Sequence, residues 1–190
     1  MNRLDRQSGF TLVEIVIVVA VLALLAGVVV PMFGTVSRDA KITRILQVFD
    51  ELRNACQRHY SDTSRLCHEY QGYTDASNHG LSMNWGAAGW KGPYIDHPLN
   101  SSDNPYGGFI HMYESLSGVN GWGPGFDLDG DGNVETVNSG QMVCLQNVPE
   151  ADAADIDKKL DSGVAGTWSS TGRCKYVSGI LVLLLMDAPN

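Results

Sequence analysis

Gly9-Phe10-Thr11-Leu12-Val13-Glu14 opens an uncharged run from Ile15 to Ser37 that reads IVIVVAVLALLAGVVVPMFGTVS. Ahead of it lies a short leader carrying Arg3 and Arg6. A membrane-spanning helix needs roughly 20 mostly apolar residues, and the run meets that length. A cleavable secretory signal has a shorter apolar stretch, with the small-residue cleavage site behind it. Here the small residue, Gly9, comes first. Cutting after it leaves the hydrophobic helix on the mature chain. The order predicts a leader at 1–9, a transmembrane helix at 10–35 and a globular domain at 36–190.

Glu14 breaks the apolar pattern at its start. A carboxylate near the bilayer centre costs about 2.5–3.5 kcal/mol on insertion scales, so such a group normally has a partner and a function. After a cut at Gly9 the new amine of Phe10 is a nearby positive charge. It can pair with Glu14 of its own chain or of a neighbour, and the second arrangement gives many subunits a reason to align. A plain signal anchor has no use for this carboxylate.

The basic leader, GFTLVE, the uninterrupted apolar run and Pro31 together resemble the class III signal of the type IV filament family, the prepilins and pseudopilins. The resemblance implies that a prepilin peptidase cuts after Gly9 and N-methylates Phe10. It implies Phe10 and Glu14 as assembly residues and Pro31 as the site of a helix kink. The implied partners are further copies of the chain in a helical filament, other pilins or pseudopilins, and an inner-membrane assembly platform. The implied location is the bacterial inner membrane, single-pass, with a periplasmic globular domain.

The rest of the chain fits one exported domain. Without leader and membrane helix about 150 residues remain, enough for one core. The net charge of −8 disfavours sequence-independent nucleic-acid binding, which relies on Lys and Arg against phosphate. Past Pro31, which removes a backbone donor, the pattern becomes amphipathic. Val36, Ile42, Ile45, Leu46, Phe49, Leu52 and Cys56 recur at three- and four-residue spacing to about Tyr60, one stripe facing a core. Residues 61–108 read as a long ordered loop region. Residues 109–114 and 141–145 read as strands, 149–160 as a short helix and 176–186 as a central buried strand. The expected class is α+β, a long N-terminal helix on a small antiparallel sheet with long loops.

Within 61–108, Gly92-Pro93-Tyr94-Ile95 and Asn104-Pro105-Tyr106 are similar to segments of the major pseudopilins of type II secretion systems. The turn before Asn104 lacks the tryptophan usual in that group.

Asp127-Leu128-Asp129-Gly130-Asp131-Gly132-Asn133-Val134-Glu135 matches the first half of an EF-hand calcium loop. Calcium takes six to eight hard oxygens, and a tight glycine turn folds alternate side chains onto one point. Asp127, Asp129 and Asp131 would donate carboxylates, Asn133 its main-chain carbonyl, and Glu135 would bind directly or through water. Asn138 stands where the template has a bidentate Glu, and no helices flank the loop. The expectation is a calcium loop on a β-rich domain. The bland alternative, a solvated Asp/Gly turn, leaves four carboxylates repelling one another.

Cys56, Cys67, Cys144 and Cys174 allow three disulfide pairings in an oxidising compartment. Cys56–Cys67 with Cys144–Cys174 is the expected set. The alternative for the first pair is a zinc site of Cys56, His59, Cys67 and His68. No catalytic constellation stands out, so no enzyme is expected. The function classes are a filament subunit for secretion, a pilin for adhesion or motility, and a membrane-anchored calcium-binding adhesion module.

Overall fold

The computed structural model describes residues 10–115, 125–136 and 140–187, with the side chains of 28–35 excepted. The chain forms two compact units, residues 1–40 and 41–190. Helix α1, Leu12–Thr63, belongs to both. In the first unit its side chains are exposed on every side: Leu12, Val16, Val19, Leu22 and Leu25 all lie open. A helix apolar all round has no polar face to give to water. Among the described residues no helix is long and apolar enough to cross a membrane. The apolar run continues into 28–35, and the expected kink at Pro31 falls there, outside the described side chains.

In the second unit, α1 from Lys41 packs one stripe on a five-stranded sheet. Ile42, Ile45, Val48, Phe49, Leu52, Ala55, Cys56 and His59 are buried, while Val36, placed on the stripe by spacing, is exposed. Helix α1 ends at Thr63, where Ser64 takes φ 53° and its N–H reaches the Tyr60 carbonyl. The strands are β1 (Glu69–Tyr70), β2 (Ile110–Tyr113), β3 (Gly140–Gln146), β4 (Cys174–Val177) and β5 (Ile180–Asp187). Their order is β1-β2-β3-β5-β4 and every pairing is antiparallel.

The C-terminal run expected as one strand from Tyr176 is a hairpin. Ser178 (φ 50°) and Gly179 (φ 84°) turn it, which separates Tyr176 from Ile180. Two consecutive residues at positive φ make the two-residue connection that suits the strands' twist. From Ile180 to Met186 strand β5 is unbrokenly apolar because both its faces are covered. Leu181, Leu183 and Leu185 join the core with α1, whereas Val182 and Leu184 join Phe126, Met142 and Cys144 on the other face.

The loop region 61–108 is held by polar groups. Asn104 donates to the carbonyls of Phe109 (3.1 Å) and Gln146 (2.8 Å). The Tyr106 hydroxyl donates to Asp152 at 2.6 Å. Arg58 donates to the Tyr94 carbonyl at 2.7 Å, and the Tyr94 hydroxyl to Asp62 at 3.0 Å. The two turn segments picked out by sequence thus tie the loops to the helices.

Helix α2, Glu150–Leu160, follows β3. On it Asp157 is buried, and its Oδ1 has no hydrogen-bond partner among the described residues. Burial, then the Asp161 carboxylate, pushes Asp157 up to about 6. A carboxyl raised above its unfolded value binds its proton more tightly in the native state. Stability therefore falls as pH rises from about 4 through 6, and the penalty is complete above that. Asp157→Asn should raise stability at pH 7.5 by on the order of 2 kcal/mol and leave it unchanged at pH 4. Urea unfolding at both values checks this. An equal gain at both would mean that the buried charge is not the cause.

Candidate functional site

Among the described residues two places carry chemistry: the start of α1 and the acidic loop. At the first, Thr11 precedes the helix and Glu14 is its third residue. The Glu14 N–H donates to Thr11 Oγ1 at 3.2 Å. Glu14 Oε2 accepts from the Thr11 N–H (3.3 Å) and hydroxyl (3.2 Å). This is a capping box, in which two orphan donors of a helix start are satisfied reciprocally. The sequence pairs Glu14 with the Phe10 amine; in the uncut chain it accepts from Thr11. The Thr-x-x-Glu spacing ahead of an apolar run was the signal. Phe10 is 84% exposed, and Gly9 lies outside the described residues.

At the second, residues 126–136 form a closed loop. Phe126 and Thr136 pair as an antiparallel bridge, and Phe126 is buried against β3 and β5. Asp127 accepts from the N–H groups of Gly130 (2.7 Å) and Gly132 (3.1 Å). Asp129 accepts from the Asp131 N–H at 3.0 Å. Asp131 accepts from the main-chain (2.7 Å) and side-chain (2.9 Å) nitrogens of Asn133. Those bonds hold its carboxyl below the ordinary carboxylate value. Glu135 accepts from the Leu128 N–H. Gly130 has φ 79°, and a Cβ there would meet the Ala165 carbonyl oxygen at 1.9 Å. Only glycine fits.

The loop brings one oxygen each of Asp127, Asp129, Asp131 and Glu135 to within 4.8 Å of one another. At that distance each pair of charges repels by about 1 kcal/mol even in water. Hard oxygens converging from alternate positions fit a calcium ion. The Asn133 side chain is spent on Asp131, which leaves its carbonyl for the ligand role expected of it. Asn138 lies outside the described residues.

Residues 4–30 match the family model described as "Prokaryotic N-terminal methylation motif". This is the N-terminal signal of the type IV filament family. The chain is 35% identical over 54 residues to "Prepilin peptidase-dependent protein D" of Escherichia coli (strain K12), a match covering 28% of this chain and 37% of that protein. It is 25% identical over 103 residues to a "Type IV major fimbrial protein FimA" of Dichelobacter nodosus, covering 51% and 66%. A second FimA of that organism is 28% identical over 76 residues, covering 40% and 48%. The chain thus spans between about a third and two thirds of the length of these relatives. No solved structure matches. A type IV filament subunit is a structural protein and not an enzyme.

The cysteines are sorted by the sheet. All four are buried thiols. The expected Cys144–Cys174 bridge is ruled out. Cys144 pairs across to Val182 and Cys174 to Leu183, from opposite sides of β5. That puts their strands two spacings apart, about 9.5 Å, beyond the roughly 7 Å limit of a disulfide. They also face opposite sides of the sheet, in different clusters. The zinc alternative does not assemble either. His59 bonds the Arg65 carbonyl at 3.1 Å and packs on Trp85 and Tyr94. His68 bonds the Ser77 carbonyl at 2.8 Å and stacks on Tyr70.

Proposed function

We propose that this chain is a single-pass inner-membrane subunit that is cut after Gly9, methylated on Phe10 and built into a periplasmic type II secretion pseudopilus. The observation that carries the filament reading is the N-terminal motif, with its carboxylate fixed at the head of a fully exposed apolar helix. Such a helix is stable in lipid or among sister helices and nowhere else. The Gly92–Ile95 and Asn104–Tyr106 segments favour the secretion form. A surface pilus is the second reading, favoured by the fimbrial relatives. An immunoblot of the sheared surface fraction of the native cell separates them. Protein confined to membrane and periplasm supports the pseudopilus, and abundant protein in long sheared filaments overturns it.

The same proposal includes calcium in the 127–135 loop, held by Asp127, Asp129, Asp131, Glu135 and the Asn133 carbonyl. The converging carboxylates support it. The ion would neutralise their repulsion and so fix the loop on the sheet. For the full chain in detergent, calcium at a hundredfold excess over its dissociation constant should stabilise by about 2.7 kcal/mol. Chelation should reverse this, and Asp129→Ala should abolish the response. An unchanged melting temperature in wild type on chelation would remove calcium from the account.

A further inference from the structure

The structure leaves one pair of cysteines able to meet. Helix α1 ends at Thr63, the chain reverses at Ser64, and the Arg65 carbonyl is pinned to His59 Nδ1 at 3.1 Å. His59 lies one helical turn beyond Cys56, and Cys67 lies two residues beyond Arg65. The returning chain then enters β1, where Glu69 pairs with Met112, the residue whose sulfur lies 3.3 Å from that of Cys56, and Cys67 stands two residues before Glu69. Both cysteines are at most 1% exposed and share the core under β1 and β2. Burial pushes the Cys56 thiol up, and the neighbouring Cys67 thiol pushes it further. The other two are elsewhere. Cys144 faces the opposite side of the sheet. Cys174 shares a row with Leu183, Val143 and Met112, three strands from the Met112 sulfur that Cys56 touches at 3.3 Å.

We propose that Cys56 and Cys67 form the domain's disulfide, and that Cys144 and Cys174 remain thiols. The oxidant is a protein or glutathione disulfide. One cysteine attacks it, giving a mixed disulfide and releasing one thiol. The second cysteine then attacks the first and releases the other thiol. Two electrons and two protons pass to the oxidant, whose disulfide becomes two thiols. Exchange precedes folding, because burial later pushes Cys67 up to about 12 and leaves it inert. The bridge staples the first loop to the end of α1, away from the calcium loop. In the cell it rests on the reading that the domain is exported.

The test uses the full chain in detergent, refolded in a glutathione redox buffer and, separately, isolated from the cell envelope. Without reductant, two of the four cysteines should be alkylated in denaturant, and a peptide Asn54–Arg58 linked to Leu66–Lys91 should appear after trypsin. Reductant should lower the melting temperature by about 10 °C in wild type and in Cys144→Ser, but not in Cys56→Ser or Cys67→Ser. Four alkylated cysteines in the refolded protein, or a link through Cys144 or Cys174, overturns the proposal. A bridge in the refolded protein with four thiols in the envelope sample upholds the pairing and overturns the export reading instead.

Discussion

Glu14→Ala should abolish filament assembly, with sheared or membrane-associated filaments falling at least a hundredfold, while the subunit still reaches the membrane and loses its leader. The carboxylate sits at the edge of an apolar run, where carrying it costs about 2.5–3.5 kcal/mol. In the isolated subunit its own Thr11 satisfies it (3.2 and 3.3 Å). Removing the carboxylate thus loses a helix cap of about 1 kcal/mol and makes membrane residence cheaper, so insertion does not suffer. What disappears is the negative charge that the account pairs with the Phe10 amine of a neighbouring subunit. Two further variants separate cap from charge. Glu14→Gln keeps the box, since glutamine serves in it as well, but removes the charge, and should fail to assemble like Glu14→Ala. Thr11→Ala removes the box and keeps the charge, and should still assemble. Normal filaments from Glu14→Gln would mean that the residue serves as a cap and not as an ionic partner.

The largest effect on stability is expected at Glu69. It is fully buried on β1 and accepts from His79 Nδ1 (2.8 Å), the Leu81 N–H (2.9 Å), the Ser82 N–H (3.2 Å) and the Ser82 hydroxyl (2.6 Å). His79, equally buried, also places Nε2 at 2.9 Å from the Tyr73 carbonyl. This one carboxylate gathers the loop 71–82 onto the sheet edge. Glu69→Ala leaves four donors without their acceptor in a dry core, and removing one partner of such a pair typically costs about 3–5 kcal/mol. The urea midpoint should fall accordingly, with early loss of the near-ultraviolet signal of Trp85 and Trp90, which pack on His59 and Tyr94. Glu69→Gln keeps the shape and one acceptor oxygen, and should cost less. A Glu69→Ala unfolding free energy within about 0.5 kcal/mol of wild type would mean that the loop is held by its apolar contacts alone.

The fold was legible wherever period or punctuation was strong. The three- and four-residue spacing from Ile42 to Cys56 gave the buried stripe of α1, and the run at Ile180–Leu185 gave a central strand. The hairpin before that strand was missed because Ser178 takes positive φ, a conformation in which serine is unusual. Glu69 was invisible because nothing local marks a carboxylate whose four donors lie ten to thirteen residues away. The Thr11 cap is legible, since the capping spacing is purely local. The proximity of the four carboxylates in the acidic loop follows from sequence because alternate Asp residues and glycine turns fix it within nine residues. The cysteine pairing failed for Cys144 and Cys174 because sequence gives no strand order. Only the position of β5 between β3 and β4 separates them.

The central claim is that this chain is processed as a type IV filament subunit. Intact mass and N-terminal sequencing of the protein from its native envelope test it most directly. The account predicts a chain that begins at Phe10 and carries one extra methyl group on its amine. A chain that still carries its leader ahead of Phe10, or one cut beyond the apolar run so that Glu14 is lost, would contradict it.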